Sequence, residues 1–132
     1  MQLKQLKLWE DNMEVDKPWG RYIDIHREDQ VVFKKLVISP GEMTSYQTHS
    51  KRGEFWYVTK GEGVMKYNST NWKVQPGFCV EIKKGTAHQI TNNSSDDLVI
   101  YEMQYGYCME EDIERIEDKY ERDFNAGGTN GR

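Results

Sequence analysis

The sequence has few cysteines, no long apolar run and no apolar core of signal-peptide length in its first residues. Its only cysteines, Cys79 and Cys108, lie in different apolar segments without C-x-x-C spacing. They are most simply two buried thiols, although a disulfide between them stays open. No apolar run is long enough to span a bilayer, and residues 1–16 lack an apolar core of signal-peptide length. We therefore expect a soluble, cytoplasmic protein.

The sequence also lacks a strong excess of either charge. The formal net charge of −4, with no dense Lys/Arg stripe, makes nucleic acid and anionic membranes poor partners. Aromatic residues are plentiful, with 4 Trp, 8 Tyr and 4 Phe, which argues against disorder. A chain of 132 residues fits one domain and can bury a core without disulfides.

Short apolar or alternating segments follow one another between Tyr22 and Gln104, separated by turn residues. Gly or Pro stands at most of the corners, for example in Ser39-Pro40-Gly41 and Gln75-Pro76-Gly77. Such a series predicts an all-β sandwich or barrel. The segments cover residues 31–38, 54–58, 64–67, 72–74, 78–82, 87–91 and 98–104.

The two ends of the chain differ from this pattern. Residues 1–16 are predicted to be an N-terminal arm, and the Gly-rich residues 123–132 a flexible tail. Residues 109–122 are predicted to form a short helix packed on the domain of residues 17–108. Acidic residues cluster at its start, where the helix dipole favours them. The apolar residues at helical spacing are Ile113, Ile116 and Tyr120.

Four polar residues recur at a spacing that suits a metal site. Gln47 and His49 are two residues apart, so their side chains share one face of a strand. Glu54 begins the next strand and His88 a later one, so all four can converge inside a small barrel. An amide oxygen, two imidazoles and a carboxylate suit Zn, Mn, Fe, Co or Ni rather than Ca or Mg. We predict one divalent transition metal ion on these residues, with a position left for water or substrate.

This spacing resembles the paired motifs of the cupin family, G(x)5HxH(x)4E(x)6G and G(x)5PxG(x)2H(x)3N. The first motif corresponds to residues 41–61 and the second to residues 77–92. Gln47 stands where most cupins have their first His, and Lys83 stands where Pro is usual. The resemblance implies one cupin double-stranded β-helix, or jelly-roll barrel, over residues 17–108.

A closer resemblance is to the C-terminal phosphomannose isomerase domain of type II bifunctional isomerase/guanylyltransferases. That domain has KPWG near its start, a QxHxHRAEHW ligand segment, a HxxxN segment and an ending like DDIxRxxDxYGR. Counterparts occur in the same order at residues 17–20, 47–56, 88–92 and 111–122. The segment HRAEHW becomes KRGEFW at residues 51–56. The resemblance accounts for Gln47 and implies a metal-dependent isomerase of the mannose-6-phosphate type.

Aldose–ketose isomerisation needs a base near neutral pH and a group that polarises the carbonyl oxygen. The bound metal would polarise the oxygen, and Glu102 or Glu81 could be the base. Arg52, which matches the family's Arg, is predicted to act in catalysis and to bind a phosphosugar. The other predicted substrate-binding residues are Lys51, Arg115 and Arg122.

Two other functions stay open, because one scaffold hosts many chemistries. The chain could be a non-catalytic module that binds metal or carbohydrate, or a metal-dependent cupin oxygenase. The partner in the leading hypothesis is a sugar or sugar phosphate. Small cupins often pair, so we also expect a homodimer in which residues 1–16 add a strand to the partner.

Overall fold

The structure is a computed structural model that describes residues 13–122. Within these residues it contains strands and no helix. The strands are β1 (Glu14–Lys17), β2 (Gly20–Glu28), β3 (Val31–Ile38), β4 (Tyr46–Thr48), β5 (Arg52–Lys60), β6 (Gly63–Tyr67), β7 (Thr70–Val74), β8 (Cys79–Ile82), β9 (His88–Thr91), β10 (Leu98–Gly106) and β11 (Glu114–Glu117).

The strands form two antiparallel sheets. The six-stranded sheet has the order β1-β2-β3-β10-β5-β8, and the five-stranded sheet has the order β11-β4-β9-β6-β7. Apolar residues of both sheets meet in one core. The predicted all-β cupin jelly-roll fold is thus confirmed. The core residues are Trp19, Leu36, Ile38, Trp56, Val58, Met65, Val74, Ile82, Ile90, Leu98 and Ile100.

The long central strands alternate between residues that face the interior and residues that face outward, as a half-buried strand should. On β10, Leu98 and Ile100 are buried, and Glu102 and Gln104 follow at the same period. Cross-strand pairing sets the polar residues side by side. Glu102 lies opposite both Lys34 and Trp56, and Gln104 lies opposite Glu54. The barrel interior therefore carries polar side chains at one end of its apolar core.

The turn between β5 and β6 needs a glycine at position 61. Gly61 has a φ of 88°, in the left-handed region, and a Cβ built there would lie 2.4 Å from the backbone oxygen of Asp97. Only glycine meets both conditions without strain. This residue lets β5 turn sharply into the second sheet.

The predicted helix over residues 109–122 is wrong. The segment contains two turns and β11, and β11 pairs with β4, where Arg115 lies opposite Gln47. Ile116, which the helical spacing placed on a packed face, is 50% exposed. The acidic residues bind other parts of the chain instead of marking a helix start: Glu110 pairs with Lys34, and Asp112 accepts hydrogen bonds from residues 50–51. Tertiary pairing thus overrides the local pattern.

The two predicted terminal segments lie mostly outside the described residues. Residues 14–16 of the predicted arm belong to β1, which pairs with β2 at the edge of the larger sheet. The rest of the arm, the tail at 123–132 and the arm-mediated dimer stay predictions. Both cysteines are free; Cys108 is buried as expected, but Cys79 is exposed. No helix among the described residues is long and apolar enough to cross a membrane.

Candidate metal centre

The three charged or ionisable members of the predicted ligand set meet inside the barrel. His49 follows β4, Glu54 is the third residue of β5, and His88 begins β9. One ligand atom from each lies within 4.8 Å of the others, and all three side chains are buried. Two sheets therefore contribute to one cluster, because β5 belongs to the larger sheet and β9 to the smaller.

Both imidazoles are oriented by backbone carbonyls. Nδ1 of His49 donates to the carbonyl of Asp112 at 2.6 Å, and Nδ1 of His88 donates to the carbonyl of Thr86 at 2.9 Å. The Nε2 atoms face the Glu54 carboxylate at 3.3 Å and 3.7 Å. Such an outer hydrogen bond fixes the tautomer in which Nε2 carries no proton and can bind a metal.

The electrostatic environment keeps both imidazoles neutral. Burial, reinforced by the charge of Arg52, lowers the pKa of His49 to about 4. Burial also lowers the pKa of His88, and Arg52 contributes to this shift. Only the neutral imidazole can coordinate a metal, so both rings are in the ligand-competent form at pH 7.

Gln47 lies beside the cluster. It is the Cα partner of His88 across β4 and β9, and it lines the same cavity as His49 and Glu54. Its side-chain amide makes one long hydrogen bond of 3.4 Å, to the backbone of Ser45. The two imidazoles and the carboxylate fit a divalent transition metal, whereas Gln47 as a fourth ligand stays a prediction.

Arg52 contacts the atoms that a cation would bind. Its guanidinium donates to Oε2 of Glu54 at 3.1 Å and to Nε2 of His49 at 3.2 Å. It also donates to the carbonyl of Met109 at 3.2 Å, which ties β5 to the C-terminal segment. Arg52 therefore supplies a positive charge that compensates the buried Glu54.

Asp112 holds the C-terminal segment against the loop that carries His49. Its carboxylate accepts from the amides of Ser50 and Lys51, at 3.1 Å and 2.9 Å, and from the Ser50 hydroxyl at 3.0 Å. Burial alone would raise the pKa of Asp112, but these hydrogen bonds lower it. Because its own carbonyl accepts from His49, Asp112 links the C-terminal segment directly to a predicted ligand.

Glu102 is a buried acid next to the cluster. Its carboxyl accepts hydrogen bonds from Trp56 Nε1 at 3.0 Å and from Gln104 Nε2 at 2.9 Å. Burial, together with the nearby charge of Glu54, raises the pKa of Glu102 to about 7. A carboxyl with this pKa can both take up and release a proton near neutral pH.

In the metal-free protein, we expect Glu102 to lower stability as the pH rises from about 4.5 to about 7. Its folded-state pKa of about 7 exceeds the ordinary value of 4.5, so the folded chain retains a proton that the unfolded chain releases. Glu102→Gln should therefore become more stable than the wild type with rising pH, by on the order of 3 kcal/mol at pH 8. Urea unfolding between pH 4.5 and pH 8 with a chelator measures this; a difference that does not change with pH contradicts the raised pKa.

Only some of the other predicted site residues line the cavity. Arg115 and Arg122 line the same cavity as the cluster. Lys51 does not line it, since its side chain is exposed with the ammonium 5.2 Å from the centre of the Tyr107 ring. Glu81 binds the Tyr105 hydroxyl at 2.6 Å and lies beside the outward-facing Phe55 and Tyr57. Of the two candidate bases, only Glu102 therefore faces the cavity.

Sequence reasoning missed two lysines that line the cavity, Lys17 and Lys34. Lys34 is buried, pairs with Glu110 and lies 4.0 Å from the centre of the Tyr22 ring. The strand period could have identified it, since Lys34 shares one face of β3 with the buried Val32 and Leu36. No such signal existed for Lys17, because its position depends on how β1 joins the sheet.

A barrel of two antiparallel sheets, with two imidazoles and a carboxylate at the polar end of its interior, is a cupin with a candidate metal centre. A solved sugar phosphate isomerase of the cupin superfamily from Silicibacter pomeroyi shares this fold. Its TM-score is 0.65 at 15% identity, over 73% of this chain and 72% of that chain. The chain itself belongs to the family described as mannose-6-phosphate isomerase C-terminal, whose profile matches residues 4–118.

The chain is also similar in sequence to two curated proteins. Mannose-1-phosphate guanylyltransferase ManC of Salmonella typhimurium is 32% identical over 110 residues, which are 83% of this chain and 23% of the relative. Alginate biosynthesis protein AlgA of Pseudomonas aeruginosa is 31% identical over 114 residues, which are 86% of this chain and 24% of the relative. The chain therefore spans about a quarter of the length of these relatives.

Proposed function

We propose that this chain is a metal-dependent isomerase that interconverts the aldose and ketose forms of a sugar phosphate of the mannose 6-phosphate type. The proposal rests on one structural observation, together with the family to which the chain belongs. Two neutral imidazoles, held by backbone carbonyls, turn their Nε2 atoms toward one buried carboxylate in the barrel interior. The ligands are His49, Glu54, His88 and Gln47, and the metal is Zn, Mn, Fe, Co or Ni.

The proposed reaction moves protons and needs no oxidant or reductant. The metal, when bound, would polarise the carbonyl oxygen of the open-chain sugar. Glu102 takes the proton from C2 of the aldose and returns it to C1, while the proton of the C2 hydroxyl passes to O1. Its pKa of about 7 suits both directions of this transfer. Trp56 and Gln104 hold the carboxyl in place through their hydrogen bonds.

Arg52 has a second role in this proposal. Its guanidinium donates hydrogen bonds to Nε2 of His49 and to Oε2 of Glu54. A cation bound to these atoms would replace the guanidinium there, and Arg52, which lines the cavity, would then be available to the substrate. A planar, permanently charged donor in that place suits an oxygen of the substrate that becomes negative during the reaction.

The changes in the family segment HRAEHW do not reach the cavity. Residues 52, 54 and 56, which match the family's Arg, Glu and Trp, are buried and face inward. Lys51 is exposed, Phe55 is 42% exposed on the outer face, and Gly53 lies under the Tyr105 ring, where a Cβ would be 2.2 Å from the hydroxyl oxygen. The strand period thus separates the retained residues from the altered ones. This supports catalysis over a module that only binds.

A coupled assay that converts mannose 6-phosphate to fructose 6-phosphate tests the proposal. Protein loaded with one metal ion per chain is expected to form fructose 6-phosphate, and protein treated with a chelator is expected to form none. The absence of turnover in the fully loaded protein would reject the proposal. Thermal stabilisation by mannose 6-phosphate without product would instead identify a non-catalytic binding module.

A further inference from the structure

Cationic side chains from separate parts of the chain line one cavity together with the candidate metal ligands. Lys17 ends β1, Arg115 lies on β11, and Arg122 follows β11 in the C-terminal segment. They belong to opposite sheets and to a turn region, so only the folded barrel brings them together. Arg115 is also the Cα partner of Gln47, which places it one strand away from the metal cluster.

The positive charge of this group is only partly balanced. Arg122 is held by the Asp118 carboxylate through two hydrogen bonds, at 2.9 Å and 3.0 Å. Lys34, deeper in the cavity, pairs with Glu110. Within residues 13–122, the Lys17 ammonium has neither a hydrogen bond nor an acidic partner at ion-pair distance.

The environment of Lys17 is unfavourable for a cation. The side chain is half-buried, and burial is the largest cause of its lowered pKa. The charges of Arg122, Arg115 and Lys34 lower the pKa further, and Glu110 only partly offsets them. A lysine kept in such a place gains most from an anion that enters the cavity, because the anion removes both the repulsion and the unmet hydrogen bonds.

We propose that Lys17, Arg115 and Arg122 form the anion subsite of the cavity and bind the phosphate group of the substrate. The subsite rests on the proposed function for the identity of its ligand, a sugar phosphate. A phosphate dianion has several acceptor oxygens, which suit one ammonium and two guanidinium groups. Among the described residues the Lys17 ammonium has no ion pair, and the Glu110 carboxylate acts on it only from beyond ion-pair distance. Lys17 therefore makes the largest single contribution to the discrimination between phosphorylated and unphosphorylated sugar.

Calorimetric titration with mannose 6-phosphate and with mannose tests the subsite in metal-loaded protein. Lys17→Met is expected to raise the dissociation constant for mannose 6-phosphate about tenfold or more, and to leave that for mannose unchanged. Lys17→Gln should behave like Lys17→Met, whereas Lys17→Arg should retain most of the affinity. Lys51→Met is the matched control, since Lys51 lies outside the cavity, and it should bind like the wild type.

Inorganic phosphate provides a second probe, titrated into chelator-treated protein so that no metal can bind it. The wild type is expected to bind phosphate more tightly than Lys17→Met does. Equal affinity of Lys17→Met and wild type for mannose 6-phosphate, or no binding of it by the wild type, overturns the subsite. Turnover is measured separately. If the wild type shows no isomerase activity but Lys17→Met still loses the preference for mannose 6-phosphate over mannose, the anion subsite is supported and only the isomerase function is rejected.

Discussion

A chain with His88→Gln is expected to lose stoichiometric metal binding. His88 is buried, its Nδ1 donates to Thr86, and its Nε2 faces Glu54 at 3.7 Å, so no other imidazole can replace it. Removal of the outer partner of a ligand typically weakens metal binding 10- to 100-fold, so loss of the ligand itself should weaken it more than about 100-fold. Elemental analysis after dialysis measures the metal content per chain, and the isomerase assay should show a matching loss.

The sequence supplies a matched control for this variant. It contains only three histidines, and the third, His26, is exposed and pairs with Glu28 at 2.7 Å. His26→Gln should retain one metal ion per chain and full activity. Equal metal content in His88→Gln and His26→Gln would show that the ion binds elsewhere.

Arg52→Met is expected to destabilise the metal-free chain by about 3 kcal/mol. The substitution keeps an unbranched apolar stem but leaves the buried Glu54 without its cation and removes the hydrogen bond to the Met109 carbonyl. In metal-loaded protein the loss should be smaller, because the ion then compensates Glu54. Urea unfolding with and without a chelator measures both values of the free energy of unfolding.

A surface arginine separates this effect from a general loss of charge. Arg27 pairs with Asp24 at 3.1 Å on the protein surface, so Arg27→Met should cost less than about 1 kcal/mol. If Arg52→Met costs no more than Arg27→Met in the presence of chelator, Arg52 does not compensate a buried carboxylate. If the cost of Arg52→Met is the same with metal as without it, the ion does not bind at Glu54.

The strand period made the inward-facing residues predictable from the sequence. Gln47 and His49 are two residues apart, and both line the cavity. The same period, applied to residues 51–56, separates the side chains of the cavity from those of the outer face. The shared face of Gln47 and His49 is predictable because alternation is a local property of an extended chain and needs no knowledge of its partners. The prediction of Lys51 as a substrate-binding residue did not use this period.

The C-terminal segment could not be predicted in this way. Ile113, Ile116 and Tyr120 have helical spacing, yet residues 114–117 pair with β4 as a strand. The acidic residues before them bind partners that are distant in the sequence: Glu110 binds Lys34, and Asp112 binds the loop after His49. Such contacts span more than sixty positions of the sequence, and no local pattern contains them.

Which lysine lines the cavity also depends on contacts between residues that are distant in the sequence. Lys51 lies next to Arg52 in the sequence, but it faces outward because neighbouring residues of an extended segment point to opposite sides. Lys17, which is thirty residues from the nearest predicted ligand, lines the cavity because β1 closes the edge of the larger sheet. Proximity in sequence thus pointed to Lys51, whereas the sheet order places Lys17 at the cavity.

Anomalous X-ray diffraction from crystals of the metal-loaded protein would test the metal centre most directly. One strong peak is expected in the barrel interior, within about 2.0–2.3 Å of Nε2 of His49, Nε2 of His88 and a carboxylate oxygen of Glu54. The amide oxygen of Gln47 should complete the protein ligands. A peak at any other position, or Nε2 atoms that face away from the ion, would contradict the account.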